Sequence, residues 1–112
     1  MIREEMMLIT TQNEFPDHRI EEVLGLVKGN STRAKHIGID VLVGFRNMVG
    51  GEMIEYTKLY AESREQALDR MISEGMGKDA DGIICIRFAT SIIRKGLTEI
   101  IAYGTAVKLM KK

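Results

Sequence analysis

The chain has no tryptophan, one proline, one cysteine, and three residues each of tyrosine and phenylalanine. The single cysteine, Cys85, excludes an intramolecular disulfide, and such sparing use of cysteine is expected of a protein from a reducing cytoplasm. The basic and acidic side chains number sixteen each, so the formal net charge is zero. Nucleic-acid-binding domains normally carry a basic excess, and we therefore expect no nucleic-acid partner.

Long apolar runs are also lacking. None approaches the roughly 20 residues that a membrane-spanning helix requires, so we expect no membrane partner. The opening "MIREEMMLITT" lacks the basic region and apolar stretch of a secretory signal, which makes the cytoplasm the expected location. At 112 residues the chain has room for one domain, and eight methionines contribute much of its apolar volume.

Four segments have the composition of β-strands. Met6–Thr11 is the first and Arg19–Asn30 is the second, with the only proline, Pro16, in the loop between them. The segments "GIICIRFATSIIR" and "LTEIIAYGTAVKLM" are the third and fourth. The short Lys95–Gly96 turn between these two predicts an antiparallel hairpin.

Alternation within the third strand assigns its side chains to two faces. Ile84, Ile86 and Phe88 are expected on one face, with Cys85 on the other. The setting of Cys85 in "IICIRF" is typical of a small buried hydrophobic residue. A catalytic thiol would need a histidine and an accessible, electropositive setting. The pattern therefore identifies no catalytic residue.

Two amphipathic helices are predicted between the strand pairs. The first begins at Arg33, and Ile39 and Val43 lie more than about 100° from the centre of its apolar stripe. A helix with two apolar sides on a small domain has two surfaces to cover, one of which we expect to be a subunit contact. The stripe itself recurs at helical spacing and comprises Ala34, Ile37, Gly38, Val41, Leu42, Phe45, Met48 and Val49.

The second helix is predicted from about Glu55 to Gly75, with Gly75 or Gly77 as its C-cap. Gly50 and Gly51 separate the two helices. No strand precedes this pair and no Lys-Ser/Thr follows it, so it is interpreted as a tight corner and not as a phosphate loop. The predicted buried side comprises Tyr56, Tyr60, Ser63, Ala67, Leu68, Met71 and Ile72, and the predicted solvated side Lys58, Glu62, Glu65, Asp69 and Ser73.

The order β-β-α-α-β-β predicts an α+β protein, in which an antiparallel sheet carries both helices on one face. Gly96 is expected at a turn. Gly104, within the fourth strand, indicates either a β-bulge or the close approach of a neighbouring subunit. Candidates for the subunit contact are Ile39, Val43, Gly104 and Thr105.

Several short motifs follow one another in a fairly specific order and spacing, although each is weak alone. They are Asp40, Gly44 and Arg46 before Val49-Gly50-Gly51, then Ala80-Asp81, then Gly104-Thr105-Ala106-Val107. Together these motifs resemble the YbjQ-like family, whose description names heavy-metal binding. The resemblance covers the chain from about Met7, which makes residues 1–6 an N-terminal extension and residues 7–112 a single domain.

The resemblance implies an α+β subunit that assembles with copies of itself into a closed ring, with the pentamer as the expected form. It implies no known reaction. This chain departs from the family pattern in its third strand, where Arg87 and Ala89 replace the usual aspartates and Cys85 replaces a usual glycine. A metal site built on those acids would be lost here.

Three functions stay open at this point. The first is a non-enzymatic homo-oligomeric ring that acts as an assembly or small-ligand-binding module. The second is a protein that sequesters a divalent heavy metal, the one cofactor to consider, with His36 and Asp40 as candidate ligands four residues apart. The third is an enzyme with a site between subunits.

Overall fold

The computed structural model describes residues 7–34, 53–94 and 97–112. Within these ranges the chain forms a small α+β fold with one helix and a four-stranded sheet. The third and fourth strands were predicted almost to the residue, and their antiparallel pairing is confirmed. The elements are β1 (Leu8–Ile9), β2 (His18–Ala34), α1 (Met53–Gly77), β3 (Gly82–Arg94) and β4 (Leu97–Lys111).

The sheet is mixed, so the prediction of an antiparallel sheet is wrong for one strand. The strand order is β1-β3-β4-β2, and β4 pairs antiparallel with both β2 and β3. β1 runs parallel to β3, with Leu8 opposite Gly82. The loop after β1 carries the chain to the far side of the sheet, where β2 pairs with β4. β1 and β2 therefore do not form a hairpin, and the direction of β1 is set by its contact with β3.

β2 is longer than predicted and includes Arg33 and Ala34, which pair with Thr98 and Leu97 of β4. A helix beginning at Arg33 is therefore wrong, because β4 supplies strand partners for these residues. The rest of that predicted helix lies outside the described residues, as do the Gly50-Gly51 corner and the turn at residues 95–96.

Helix α1 packs on one face of the sheet, mainly against β2 and β4. The predicted orientation of this helix is confirmed: Ser63, Ala67 and Met71 are buried. Its solvated side is exposed as predicted, at Lys58, Glu62, Glu65, Asp69 and Ser73. The main core fills the space between helix and sheet and contains Met7, Val27, Ala67, Met71, Ile72, Ala80, Ile83, Ile86, Ile100, Ala102 and Ala106.

The backbone of α1 lies directly against Gly29 of β2. A Cβ atom at Gly29 would lie 2.3 Å from the carbonyl oxygen of Ala67 and 2.3 Å from the amide nitrogen of Met71. Both atoms belong to the helix backbone, which cannot move aside as a flexible side chain can. Position 29 therefore requires a residue without a side chain, because the helix backbone lies directly against the strand there.

Two serines and a glutamine join α1 to β2 inside the protein. Ser31 and Ser63 are both buried. Ser31 Oγ donates to Gln66 Oε1 at 2.6 Å and accepts a hydrogen bond from Ser63 Oγ at 3.1 Å. Each buried hydroxyl thus has a hydrogen-bond partner, so burying these groups between α1 and β2 costs little free energy.

Side chains of α1 also occupy the outer edge of β2. Glu74 Oε1 accepts a hydrogen bond from the Lys28 amide at 2.9 Å. Arg70 Nη1 donates to the Asn30 carbonyl at 2.7 Å. Both backbone groups point away from β4, on the side where β2 has no neighbouring strand in the described sheet. The helix therefore blocks this part of the sheet edge.

Helix α1 ends at Gly77, but the residue that ends it in the left-handed conformation is Asp79, with φ of 61°. The Ala80 amide donates to the Gly75 carbonyl and the Asp79 amide donates to the Met76 carbonyl, both at 3.0 Å. This is the Schellman pattern. The prediction of a glycine C-cap is wrong, because the short polar side chain of aspartate tolerates the left-handed region.

A β-bulge interrupts β3 at Cys85. The pairing with β4 shifts between Ile84 and Arg87, and Cys85 has φ of 57°. As a result Ile86 joins the core beneath α1, whereas Ile84 packs with Val107 on the opposite side of the sheet. The predicted shared face for Ile84 and Ile86 is wrong, because the bulge adds a residue to the alternation.

Cys85 itself carries a free thiol and is half-buried against the cluster of Phe15, Ile84 and Val107, so its expected burial is confirmed in part. A left-handed conformation costs roughly 1–2 kcal/mol for a residue with a Cβ and nothing for glycine. This gives a physical reason for the glycine that the family resemblance implies at this position.

The close contact at Gly29 predicts that Gly29→Ala lowers the free energy of unfolding by about 2–3 kcal/mol, since the new methyl group meets helix backbone. Urea unfolding followed by far-ultraviolet circular dichroism measures the change. Gly77→Ala is the matched control, because a Cβ there meets nothing within 4 Å, and it should change stability by less than about 1 kcal/mol. Equal effects of the two substitutions would contradict the assigned role of Gly29.

The left-handed conformation of Cys85 predicts an unusual order of stability between two variants. Both Cys85→Gly and Cys85→Ala remove the thiol, but only glycine also removes the Cβ. We therefore expect the glycine variant to be the more stable by about 1 kcal/mol, the reverse of the usual ranking in a strand. Thermal and urea unfolding of both variants measure this, and a more stable alanine variant would exclude the bulge conformation.

Candidate functional site

The most exposed apolar part of the described sheet is the second half of β3. β1 and the residues after it cover the outer edge of β3 as far as Ile86, whose amide donates to the Thr10 carbonyl at 3.2 Å. Beyond Ile86, none of the described strands pairs with that edge. Every side chain from Arg87 to Arg94 is exposed. Apolar side chains are among them: Phe88 is 47% exposed, Ile92 76% and Ile93 54%.

The sheet face opposite α1 is also partly apolar and open. A small cluster of Phe15, Ile84 and Val107 lies there, with Phe15 supplied by the loop after β1. On the same face, two side chains of β2 are exposed: Val23 is 62% exposed and Leu26 is 60% exposed. Because each is paired with a β4 residue that points away from α1, the helix cannot cover them.

A shallow depression of about 670 Å³ lies beside the bulge. Its lining residues are Thr11, Gln12, Asn13, Cys85, Ile86, Arg87 and Phe88. Arg87 Nη1 donates to the carbonyls of Thr11 and Ile86, each at 2.8 Å. The guanidinium therefore fixes the loop against β3. The half-exposed thiol of Cys85 is the soft ligand that this depression offers to a metal ion.

Of the predicted metal ligands, His36 and Asp40 lie outside the described residues. Within residues 7–34, 53–94 and 97–112, no three side chains of histidine, cysteine, aspartate or glutamate come together as metal ligands would. His18, the other histidine, packs its ring edge-on to Phe15 with 6.5 Å between ring centres. Its buried Nδ1 has no hydrogen-bond partner among these residues.

Of the four predicted subunit-contact residues, the structure describes Gly104 and Thr105, both on β4. Ile39 and Val43 lie outside the described residues, as do the structural glycines Gly50, Gly51 and Gly96. Gly104 is buried, and a Cβ there would lie 2.8 Å from Ile83 Cγ2 and 2.9 Å from the Ile84 carbonyl oxygen. Its close neighbour is thus the bulged strand of its own chain. Thr105 is half-buried on the face away from α1.

The acidic residues after α1 are held within the chain. Lys108 Nζ lies 3.5 Å from Asp79 Oδ2 and 3.7 Å from Asp81 Oδ1. Asp81 Oδ2 accepts a hydrogen bond from the Leu109 amide at 2.9 Å. These contacts hold the segment after the helix against β4, so both carboxylates have partners within the subunit.

The exposed second half of β3 was not predicted, because the candidate subunit contacts were assigned to Ile39, Val43, Gly104 and Thr105. One signal was present. The polar pair Thr90-Ser91 precedes the adjacent apolar residues Ile92 and Ile93, which breaks the alternation of a strand with one buried face.

In the part of the chain that the structure describes, no helix is long and apolar enough to cross a membrane.

Comparison with known proteins agrees with the resemblance seen in the motifs. The model of the YbjQ family, whose description reads "Putative heavy-metal-binding", matches residues 7–110. UPF0145 protein DET1617 of Dehalococcoides mccartyi is 50% identical over 101 residues, which are 90% of this chain and 97% of that protein. A UPF0145 protein of Archaeoglobus fulgidus is 46% identical over 106 residues, covering 95% of this chain and 98% of its own length.

One solved structure shares the fold. It is a crystal structure of a protein of unknown function from Pediococcus pentosaceus, assigned to the DUF74 family. The TM-score is 0.64 at 18% sequence identity, and the match covers 93% of this chain and 98% of the other. At that identity the likeness concerns the fold alone. The family match and the two close relatives together show that this chain belongs to the YbjQ family of UPF0145 proteins.

Proposed function

We propose that the protein is a non-enzymatic homo-oligomer, a closed ring of α+β subunits that serves as an assembly or small-ligand-binding module. The pentamer is the expected form. The observation that carries the proposal is the exposed apolar surface of the sheet, at Phe88, Ile92 and Ile93 on β3 and at Val23 and Leu26 on β2. Several large apolar side chains exposed on one small sheet favour an interaction site there.

The shape of the subunit supports the same proposal. Its principal dimensions are 57, 25 and 23 Å. The longest is about the length of the 17-residue strand β2, given a rise of about 3.3 Å per residue. In residues 7–34, 53–94 and 97–112, a long, narrow sheet carries a helix over part of one face and keeps exposed strand surface that other copies of the chain can cover.

The first test is the mass of the untagged protein. Native mass spectrometry and sedimentation velocity at micromolar concentration should both report a discrete oligomer. Its mass should be a single whole multiple of the subunit mass, because a closed ring has a fixed number of subunits. A well-folded monomer over the whole concentration range would overturn the proposal. Native mass spectrometry would also report any retained metabolite.

A second function, the binding of a heavy-metal ion, is favoured by the description of the family. Cys85 is the observation on this chain that supports it, since soft metal ions prefer thiolate ligands and this free cysteine lines the depression beside the bulge. One copy provides a single thiol. In a ring, ligands from several copies can meet, which would supply the coordination number that one subunit lacks.

The metal hypothesis predicts that the protein retains Cd²⁺ after desalting, as measured by elemental analysis. Cys85→Ser should weaken retention at least about tenfold, since the loss of a ligand costs more than the loss of a supporting group. His36→Ala tests the candidate from the sequence, with His18→Ala as the matched histidine control. Unchanged cadmium content in both Cys85→Ser and His36→Ala would exclude these residues as ligands.

A further inference from the structure

Among the described residues, the sheet has two outer edges with free segments, one on β3 and one on β2. The free segment of β3 runs from Phe88 to Arg94, beyond the reach of β1. On β2, the helix side chains Glu74 and Arg70 occupy the edge at Lys28 and Asn30. No described strand or side chain of α1 forms a hydrogen bond with the outer edge of β2 from His18 to Val27.

We infer that these two segments pair with each other between copies, so that residues 88–94 of one subunit extend the sheet of the next subunit along its residues 18–27. The inference rests on the proposed homo-oligomer and names the surfaces that form it. A free strand edge presents unpaired amide and carbonyl groups, and a second strand edge satisfies them.

The charges of the two segments favour this pairing. The β3 segment is flanked by Arg87 and Arg94, whereas the β2 segment contains Glu21 and Glu22, and all four side chains are exposed. The one arginine in the β2 segment, Arg19, is directed to the sulfur of Met110, at 2.9 Å. Opposite charges across an interface favour association and fix its register.

Pairing each edge with itself is less favourable. Two β3 segments aligned antiparallel would bring Arg94 of one copy towards Arg87 of the other at both ends. Two β2 segments paired with each other would place Glu21 and Glu22 of both copies in the same interface. Like charges placed together across an interface are costly. The mixed pairing avoids both arrangements.

Both segments also carry exposed apolar side chains, Phe88, Ile92 and Ile93 on β3 and Val23 and Leu26 on β2. Pairing of the two edges would reduce the exposure of the apolar side chains nearest the joined strands. Because the two paired surfaces differ, each subunit still has one free edge after a pair forms. Such a head-to-tail contact continues from copy to copy and closes into a ring where the rotation allows it.

Charge reversal tests the pairing by sedimentation velocity and native mass spectrometry. Arg94→Glu and Glu21→Lys should each raise the dissociation constant of the assembly at least about tenfold, since each places like charges together. The double variant should recover most of the loss. Arg94 is chosen because Arg87 is bonded to carbonyls of its own chain. Glu65→Lys, at an exposed position on α1, is the matched control and should assemble as the wild type does.

The outcomes separate the two proposals. A monomeric wild type overturns both the homo-oligomer and the edge pairing. If the wild type is oligomeric and Arg94→Glu and Glu21→Lys both leave the dissociation constant of the assembly unchanged, the edge pairing alone is overturned. Circular dichroism of each variant checks that it is folded.

Hydrogen exchange gives an independent measurement on the unmodified protein. Amides in residues 88–94 and 18–27 should exchange more slowly in the assembly than in the diluted subunit. Equal protection of residues 88–94 in the diluted subunit would show that another part of the same chain covers the edge, and this would overturn the inference.

Discussion

The contact between the backbone of α1 and Gly29 sets the position of the helix on the sheet. A side chain at this point would hold the helix away from β2, because its nearest neighbours are the backbone atoms of Ala67 and Met71. Once the helix is this close, Ser31 meets Ser63 and Gln66, and Glu74 and Arg70 reach the edge of β2. These polar contacts are short-range and directional, so they depend on the spacing that glycine permits.

The same placement determines which part of the sheet stays exposed. α1 lies over β2 and β4 and barely contacts β3. The core beneath it therefore takes in Ile83 and Ile86 from β3, whereas Phe88 and Ile92 remain exposed. Within the described residues, the exposed apolar strand is thus a consequence of a helix that packs mainly on two of the four strands.

Much of this fold follows from local patterns, and the exceptions have identifiable causes. The buried side of α1 and the hairpin of β3 and β4 were predictable, since helical spacing and a short turn signal depend on neighbouring residues. The parallel direction of β1 depends on a partner far along the chain. The bulge at Cys85 and the left-handed cap at Asp79 have positive φ at residues other than glycine, so the residue type did not predict these conformations. For the site, the sequence pointed to His36, Asp40, Ile39 and Val43, which lie outside the described residues, and missed the exposed edge of β3.

The helix links the core to the proposed assembly through the edge of β2. The Lys28 amide is hydrogen-bonded to Glu74 and the Asn30 carbonyl to Arg70, so neither group is available to a neighbouring strand. An incoming strand cannot use these two groups, so an internal contact of the subunit limits the register between subunits. Because those two side chains reach the edge only when α1 is close to Gly29, one glycine supports both the packing of the subunit and the boundary of its free edge. The packing of the core and the choice of partner surface are therefore not independent.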